Sequence, residues 1–241
     1  MDFNQSPLLV IWEVTKACDL TCNYCRDSVR KDSDPLQLTT DEGFELLKQV
    51  KEFGNPLLVL SGGDPLKRPD LFDLVRFSVA TGLRTNITPS PTPLLTADAI
   101  SSFQECGISR MAMSLDGPDA PTQDRMRGVE GTYERALFAL RHAREIGLET
   151  QVHTTVTRGN LATLGHIAEQ VAEVQAKMWS LFFPVRAGCA SDQDDLTAQE
   201  YEEVFGFLFE ISKVAPFEVK TTEALHYRRY IAQRLIAEHG G

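Results

Sequence analysis

Short apolar runs recur along the chain, each followed by a turn and then by a stretch whose apolar positions return every three to four residues. The runs are LLVIWEV (8–14), PLLVLS (56–61), LRTNIT (83–88), SRMAMSL (109–115), LETQVHTTV (148–156) and MWSLFFPV (178–185). Six strands are therefore expected. Between and after them the period predicts helices over 40–53, 70–80, 96–106, 132–146, 161–175 and 198–213. Thr39 and Glu42 have capping-box spacing ahead of the first helix, Gly54 ends it, and Gly82, Gly107 and Gly147 each stand between a helix and the next strand.

Strands alternating with helices imply βαβ units, a parallel sheet and right-handed crossovers. The nearly continuous apolar character of several runs agrees, because both faces of such a sheet are covered. Six units are too few for an eight-fold barrel, which leaves a partial barrel or an open doubly wound sheet. Both put ligands at the C-terminal ends of their strands, so residues just after each strand are site candidates.

Composition narrows the class. A chain of 241 residues that is 42% hydrophobic can bury the core of one large domain, or of one domain plus an appendage. A net charge of −10 and a pI near 5 argue against nucleic acid as a partner. The apolar runs are far shorter than the ~20 residues of a membrane-spanning helix. Met1 opens onto DFNQS without the features of a signal peptide, so a cytoplasmic protein without membrane contact is expected. An odd five cysteines, three of them inside eight residues, fit reduced thiols better than a disulfide scaffold.

Those three, Cys18, Cys22 and Cys25, follow the first strand as C-x3-C-x2-C in KACDLTCNYCRDS. A loop with this spacing can bring three sulfurs around one inorganic centre. A cubic iron–sulfur cluster commonly takes four thiolates, so three leave one iron open to a small molecule. Two other readings stand beside it: a zinc site completed by a distant His, for which no second paired half exists, and buried cysteines without a ligand.

The triplet, with Tyr24 before its last cysteine, resembles the signature of the radical SAM superfamily. A second resemblance is LSGGDPLKRPDL after the second strand, similar to the glycine-rich motif that meets the methionyl amino group of SAM. Gly62 and Gly63 would allow close backbone approach and Asp64 would supply a carboxylate, although Gly-Gly-Asp-Pro after a strand is also an ordinary turn. The family more often has Glu at Asp64, whose shorter side chain reaches less far.

The resemblance further implies Ser114, in SLDG, as a ribose contact and Arg127, ahead of Arg125, as the partner of the SAM carboxylate. Val185 in FFPVRAG would help to frame the adenine. Asn86 ends the third strand, while Gln151, His153 and Thr155 alternate along the fifth and would turn a polar stripe to a barrel lumen and its cofactor. Cys106 reads as a core residue and Cys189 as a neighbour of the site. His142 and His166 read as surface or packing residues, and Phe205, Phe207 and Phe209 as packing.

The likeness runs from Leu8 to Val185 and implies a partial (β/α)6 barrel over residues 1–215. It is nearest the branch with a C-terminal SPASM extension, whose members modify peptides or mature haem-type and other cofactors. Residues 216–241 would then be a tail, or a bridge to an extension this sequence lacks. The implied chemistry is reductive cleavage of SAM on a 4Fe–4S cluster, fed by an external reductant of flavodoxin or ferredoxin type. A 5′-deoxyadenosyl radical then takes hydrogen from a peptide or small-molecule substrate, and no general base is required. A non-catalytic iron–sulfur or zinc module, or a redox regulator, is the alternative.

Overall fold

The computed structural model describes residues 6–25, 31–185 and 195–239. The six apolar runs form strands β1 (Leu9–Glu13), β2 (Leu57–Ser61), β3 (Arg84–Ile87), β4 (Arg110–Ser114), β5 (Thr150–Thr155) and β6 (Met178–Phe182). A seventh, β7 (Glu218–Thr222), extends the expected set. EVKTT carries no apolar run, because it is an edge strand whose Glu218 and Lys220 are exposed. All seven pair in parallel in the order β1 to β7. A doubly wound sheet would reverse direction at a switch point. This one never does, and it curls into an open partial α/β barrel.

The helices are α1 (Thr40–Glu52), α2 (Leu71–Ala80), α3 (Ala97–Glu105), α4 (Ala120–Arg127), α5 (Thr132–Glu145), α6 (Leu164–Glu173), α7 (Ala198–Ser212) and α8 (Tyr227–His239). The capping box expected at Thr39 is complete, with Glu42 N–H donating to the Thr39 hydroxyl and Thr39 N–H to Glu42. Helix α4 adds to the expected set, which has none between 106 and 132. Its sequence has no apolar stripe, and it is fixed instead by its ends: Asp119 caps the first turn, Pro121 lies within it, and Gly128 closes the last at φ 70°.

Successive strand residues face opposite ways. Leu58 and Leu60, Val152 and Thr154, and Trp179 and Leu181 are buried in a core shared with Leu47, Leu74, Phe103, Leu140 and Ile167 of the helices. The Trp179 indole donates to the Thr154 hydroxyl, which donates to the Leu115 carbonyl. The alternate residues, Gln151, His153 and Thr155 among them, are only half-buried and line the open concave face. Phe205, Phe207 and Phe209 pack as expected, Phe205 and Phe209 buried and Phe207 against the core. Cys106 is half-buried against the same core. No helix among the described residues is long and apolar enough to cross a membrane.

Arg68 ties the upper ends of β1 and β2 together. Only 2% exposed, it donates to the Val14 and Leu38 carbonyls at 2.9 Å each and grips Asp70 through two bonds of 2.8 and 2.9 Å. Its guanidinium also lies over the Trp12 ring. Replacing Arg68 by Leu strands two carbonyls and a carboxylate, so urea unfolding should show a loss on the order of 3 kcal/mol. A change within ~0.5 kcal/mol would mean the tie contributes nothing.

Candidate functional site

Beyond β1 and β2 the two chains keep pairing, and this extension builds the site. Val14 N–H donates to Ser61 O at 2.9 Å, Gly63 N–H to Thr15 O at 2.8 Å, and Asp64 N–H to Ala17 O at 2.7 Å. The last bond ends one residue before Cys18. Contact this close needs glycine. A Cβ on Gly62, whose φ is 140°, would stand 2.3 Å from Thr15 O, and one on Gly63 would stand 2.4 Å from Ala17 O.

The far side of the cysteine loop is held by α4. Thr21 N–H donates to Arg127 O and Asn23 N–H to Met126 O, both at 3.1 Å. Gly128 abuts Thr21, where a Cβ would fall 2.6 Å from its carbonyl oxygen. A turn bond from Cys25 N–H to Cys22 O completes the loop.

So held, Cys18, Cys22 and Cys25 line one cavity of about 150 Å³ with Lys16, Leu20, Tyr24, Gly62, Gly63, Ser90 and Arg127. None of the three is in a disulfide, and all are half-buried. Burial pushes the Cys18 thiol up, and its sulfur lies 3.9 Å from the Ser90 hydroxyl. The cavity walls hold no fourth thiol and no imidazole among the described residues. Among the described residues no group of three or more His, Cys, Asp or Glu side chains is placed to hold a metal ion. Three soft donors bordering one space that glycine also lines fit a cluster with one open metal better than a closed zinc site. Arg127, which lines the same cavity, has a buried Nε without a hydrogen-bond partner among the described residues.

Asp64 is fully buried and its oxygens are occupied. Thr92 donates to one at 2.6 Å, and the backbone N–H groups of Leu66 and Ser90 donate to the other at 3.2 and 3.4 Å. Burial raises this carboxyl, against the pull of those bonds. Ser90 in turn donates to Gly63 O at 2.9 Å. The sequence reading passed over Ser90, yet it follows β3 as the glycines follow β2, and the strand-end rule points to it.

Arg127 forms an ion pair with Asp116 at 2.6 Å, lies over the Tyr24 ring and reaches Cys22 Sγ at 3.7 Å. Tyr24 donates to Asp116 at 2.6 Å. Burial would lower the Arg127 pKa, but Asp116, Tyr24 and Cys22 more than offset it and the group stays charged. Gln123, on α4, accepts from Asp116 N–H and donates to Ser114 O, locking the SLDG turn. Neither Asp116 nor Gln123 was singled out in the sequence, although Asp116 stands two residues past the end of β4.

The other candidates are dispersed. Ser114 and His153 are register partners on the concave face, and Asn86 is 8% exposed with a side-chain oxygen that lacks a partner. Gln151 bonds both His153 Nε2 and Ser180 at 2.9 Å. Burial, with Arg127 and Lys220 nearby, pushes the His153 imidazole down to about 3, so it is neutral at ordinary pH. Val185 lines a neighbouring cavity of about 180 Å³ with Tyr24, Cys25, Thr155, Phe182 and Glu223. Cys189 lies outside the described residues. A larger, more open hollow of about 710 Å³ against α4, lined by Arg125 and Glu130, contains no cysteine.

A parallel half-barrel with this cysteine loop on its first strand defines a radical SAM domain, and a family model described as Radical SAM superfamily matches residues 12–171. The chain belongs to that superfamily. Among curated relatives, the AdoMet-dependent heme synthase of Oleidesulfovibrio alaskensis is 36% identical over 228 residues, covering 94% of this chain and 58% of that protein. The PqqA peptide cyclase of Bradyrhizobium diazoefficiens is 32% identical over 185 residues, covering 73% of this chain and 48% of the relative. The chain thus spans about half to three-fifths of the length of these relatives. Among solved structures, Streptococcus suis SuiB bound to its precursor peptide SuiA shares the fold, with a TM-score of 0.80 at 15% identity over 95% of this chain and 52% of that one.

The glycine pair gives a direct test. Gly63→Ala should keep its far-UV circular dichroism but take up only a small fraction of the wild-type iron and sulfide on anaerobic reconstitution. Gly165→Ala, with nothing within 4 Å of the added methyl, should load normally. Full loading of Gly63→Ala would show that the close backbone contact is dispensable.

Proposed function

We propose that Cys18, Cys22 and Cys25 hold a 4Fe–4S cluster, that the cavities beside them receive SAM, and that the substrate is a carboxylated tetrapyrrole precursor of haem. The shared cavity of three thiols, two glycines and Arg127 carries the first two parts. Identity of 36% to a heme synthase over 94% of the chain supports the third. When bound, the cluster and SAM supply reductive sulfonium cleavage and a 5′-deoxyadenosyl radical able to take hydrogen from an unactivated carbon. The electron comes from an external flavodoxin- or ferredoxin-type reductant.

The chain's own residues bind and orient. The Gly62–Gly63 backbone and Ser90 offer polar groups at the cavity wall for the amino-acid end of SAM, and the free Arg127 Nε–H suits its carboxylate. In this reading Asp64 acts one step back, holding Ser90 and the glycine turn in place. Tyr24, Phe182 and Val185 border the space for the adenosyl group. Neutral His153 and its Gln151 partner serve as fixed hydrogen-bonding groups in the lumen rather than as an acid or base. Asn86 and Ser114 join them there. Lys220, exposed on β7 in register with Ser180, makes no ion pair with a carboxylate among the described residues and suits an anionic substrate. Holding the target C–H near the radical carbon decides which hydrogen is lost.

The test is anaerobic reconstitution followed by an assay for 5′-deoxyadenosine with SAM and a reductant. Wild type should release it, and an iron porphyrin bearing carboxylate side chains should be converted to a product of altered mass. Alanine at Cys18, Cys22 or Cys25 should abolish both visible absorbance and SAM cleavage. Retention of both by any one variant would refute the ligand assignment. Turnover of a peptide with none of the porphyrin would overturn the tetrapyrrole reading while leaving the radical chemistry standing.

A further inference from the structure

The arrangement of Asp116, Arg127 and Tyr24 does more than present a donor to SAM. Asp116 is fully buried and held at every polar atom. One carboxylate oxygen accepts from Thr155 N–H at 2.7 Å, and the other accepts from Tyr24 and Arg127 at 2.6 Å each. Its N–H donates to Gln123 at 2.6 Å, and its carbonyl accepts from Asn160 at 2.8 Å. The carboxylate has nowhere to turn, and Arg127 is pinned with it. One terminal nitrogen of the guanidinium, Nη2, faces Asp116 while the other, Nη1, faces Cys22 Sγ at 3.7 Å. A fixed cation thus stands beside a cysteine sulfur, with its counter-charge on the far side.

The potential of an iron–sulfur centre follows the charge around it and the hydrogen bonds to its sulfurs. Reduction adds an electron, so a neighbouring cation favours the reduced state and a neighbouring anion opposes it. In a buried setting such charges are weakly screened. Resting on the reading of the three cysteines as cluster ligands, we infer that Arg127 and Asp116 form a charge pair that sets the cluster's reduction potential before SAM arrives. Arg127 raises the potential and Asp116, its positioning residue, holds that rise in check. Arg125, exposed on the same helix, has no such part.

The two charges make opposite predictions, which a merely structural role does not. The measurement is an EPR-monitored redox titration of the SAM-free cluster, a state in which any role of Arg127 toward the SAM carboxylate is silent. Arg127→Gln should shift the midpoint to more negative potential, Asp116→Asn to more positive potential, and Arg127→Lys should stay nearer wild type than Arg127→Gln. Arg125→Gln should leave the midpoint where it is. Should Asp116→Asn fail to load its cluster, the Gln and Lys variants at position 127 decide the matter alone. Equal midpoints in those two, or shifts of the same sign in Arg127→Gln and Asp116→Asn at wild-type iron content, would overturn the inference. A wild-type protein that takes up no cluster would instead overturn the ligand reading beneath it.

Discussion

Two backbone hydrogen bonds, from Gly63 to Thr15 and from Asp64 to Ala17, carry the pairing of β1 and β2 past the end of the sheet and up to the first cysteine. A loop of three thiols has no structure of its own, and ordering it costs backbone entropy of about 1–2 kcal/mol per residue. The ladder removes that freedom on one side and α4 removes it on the other. Both contacts bring backbone so close to Gly62, Gly63 and Gly128 that a Cβ at any of them would clash. The glycines shape the wall of the cavity and also hold the cysteines in place.

From this clamp the chemistry of the neighbouring residues follows. Asp64, Ser90 and Thr92 lock the ends of β2 and β3 together behind the cavity, and Asp116 with Gln123 locks the end of β4 onto α4. Each strand end is thereby fixed by a buried polar group whose partners are satisfied, the condition under which buried polarity stiffens a site. In the lumen beside it Gln151, His153 and Thr155 are half-buried, His153 neutral, and Lys220 is exposed, where a substrate can reach them.

The strands that a buried sheet makes apolar could be read from the pattern, as could the helices with an apolar stripe. Strand β7 and helix α4 could not, since one is a polar edge and the other depends on its caps rather than on its period. In the site, the cysteines with Tyr24 and the glycine pair were legible as short local motifs, and Arg127 only through the family resemblance. The ion pair of Arg127 was not, because Asp116 meets it only through the fold of α4 back onto the end of β4. Asp64 was legible as a position but not in its contacts. Its partners Ser90 and Thr92 lie more than twenty residues away in sequence, and no local pattern names them.

Three thiolates would leave one metal of the proposed cluster without a protein ligand. Mössbauer spectroscopy of protein reconstituted with ⁵⁷Fe, before and after addition of SAM, tests this most directly. The account predicts that SAM alters the signal of one iron in four and leaves the other three as they were. Four irons that remain alike and unmoved by SAM would contradict it.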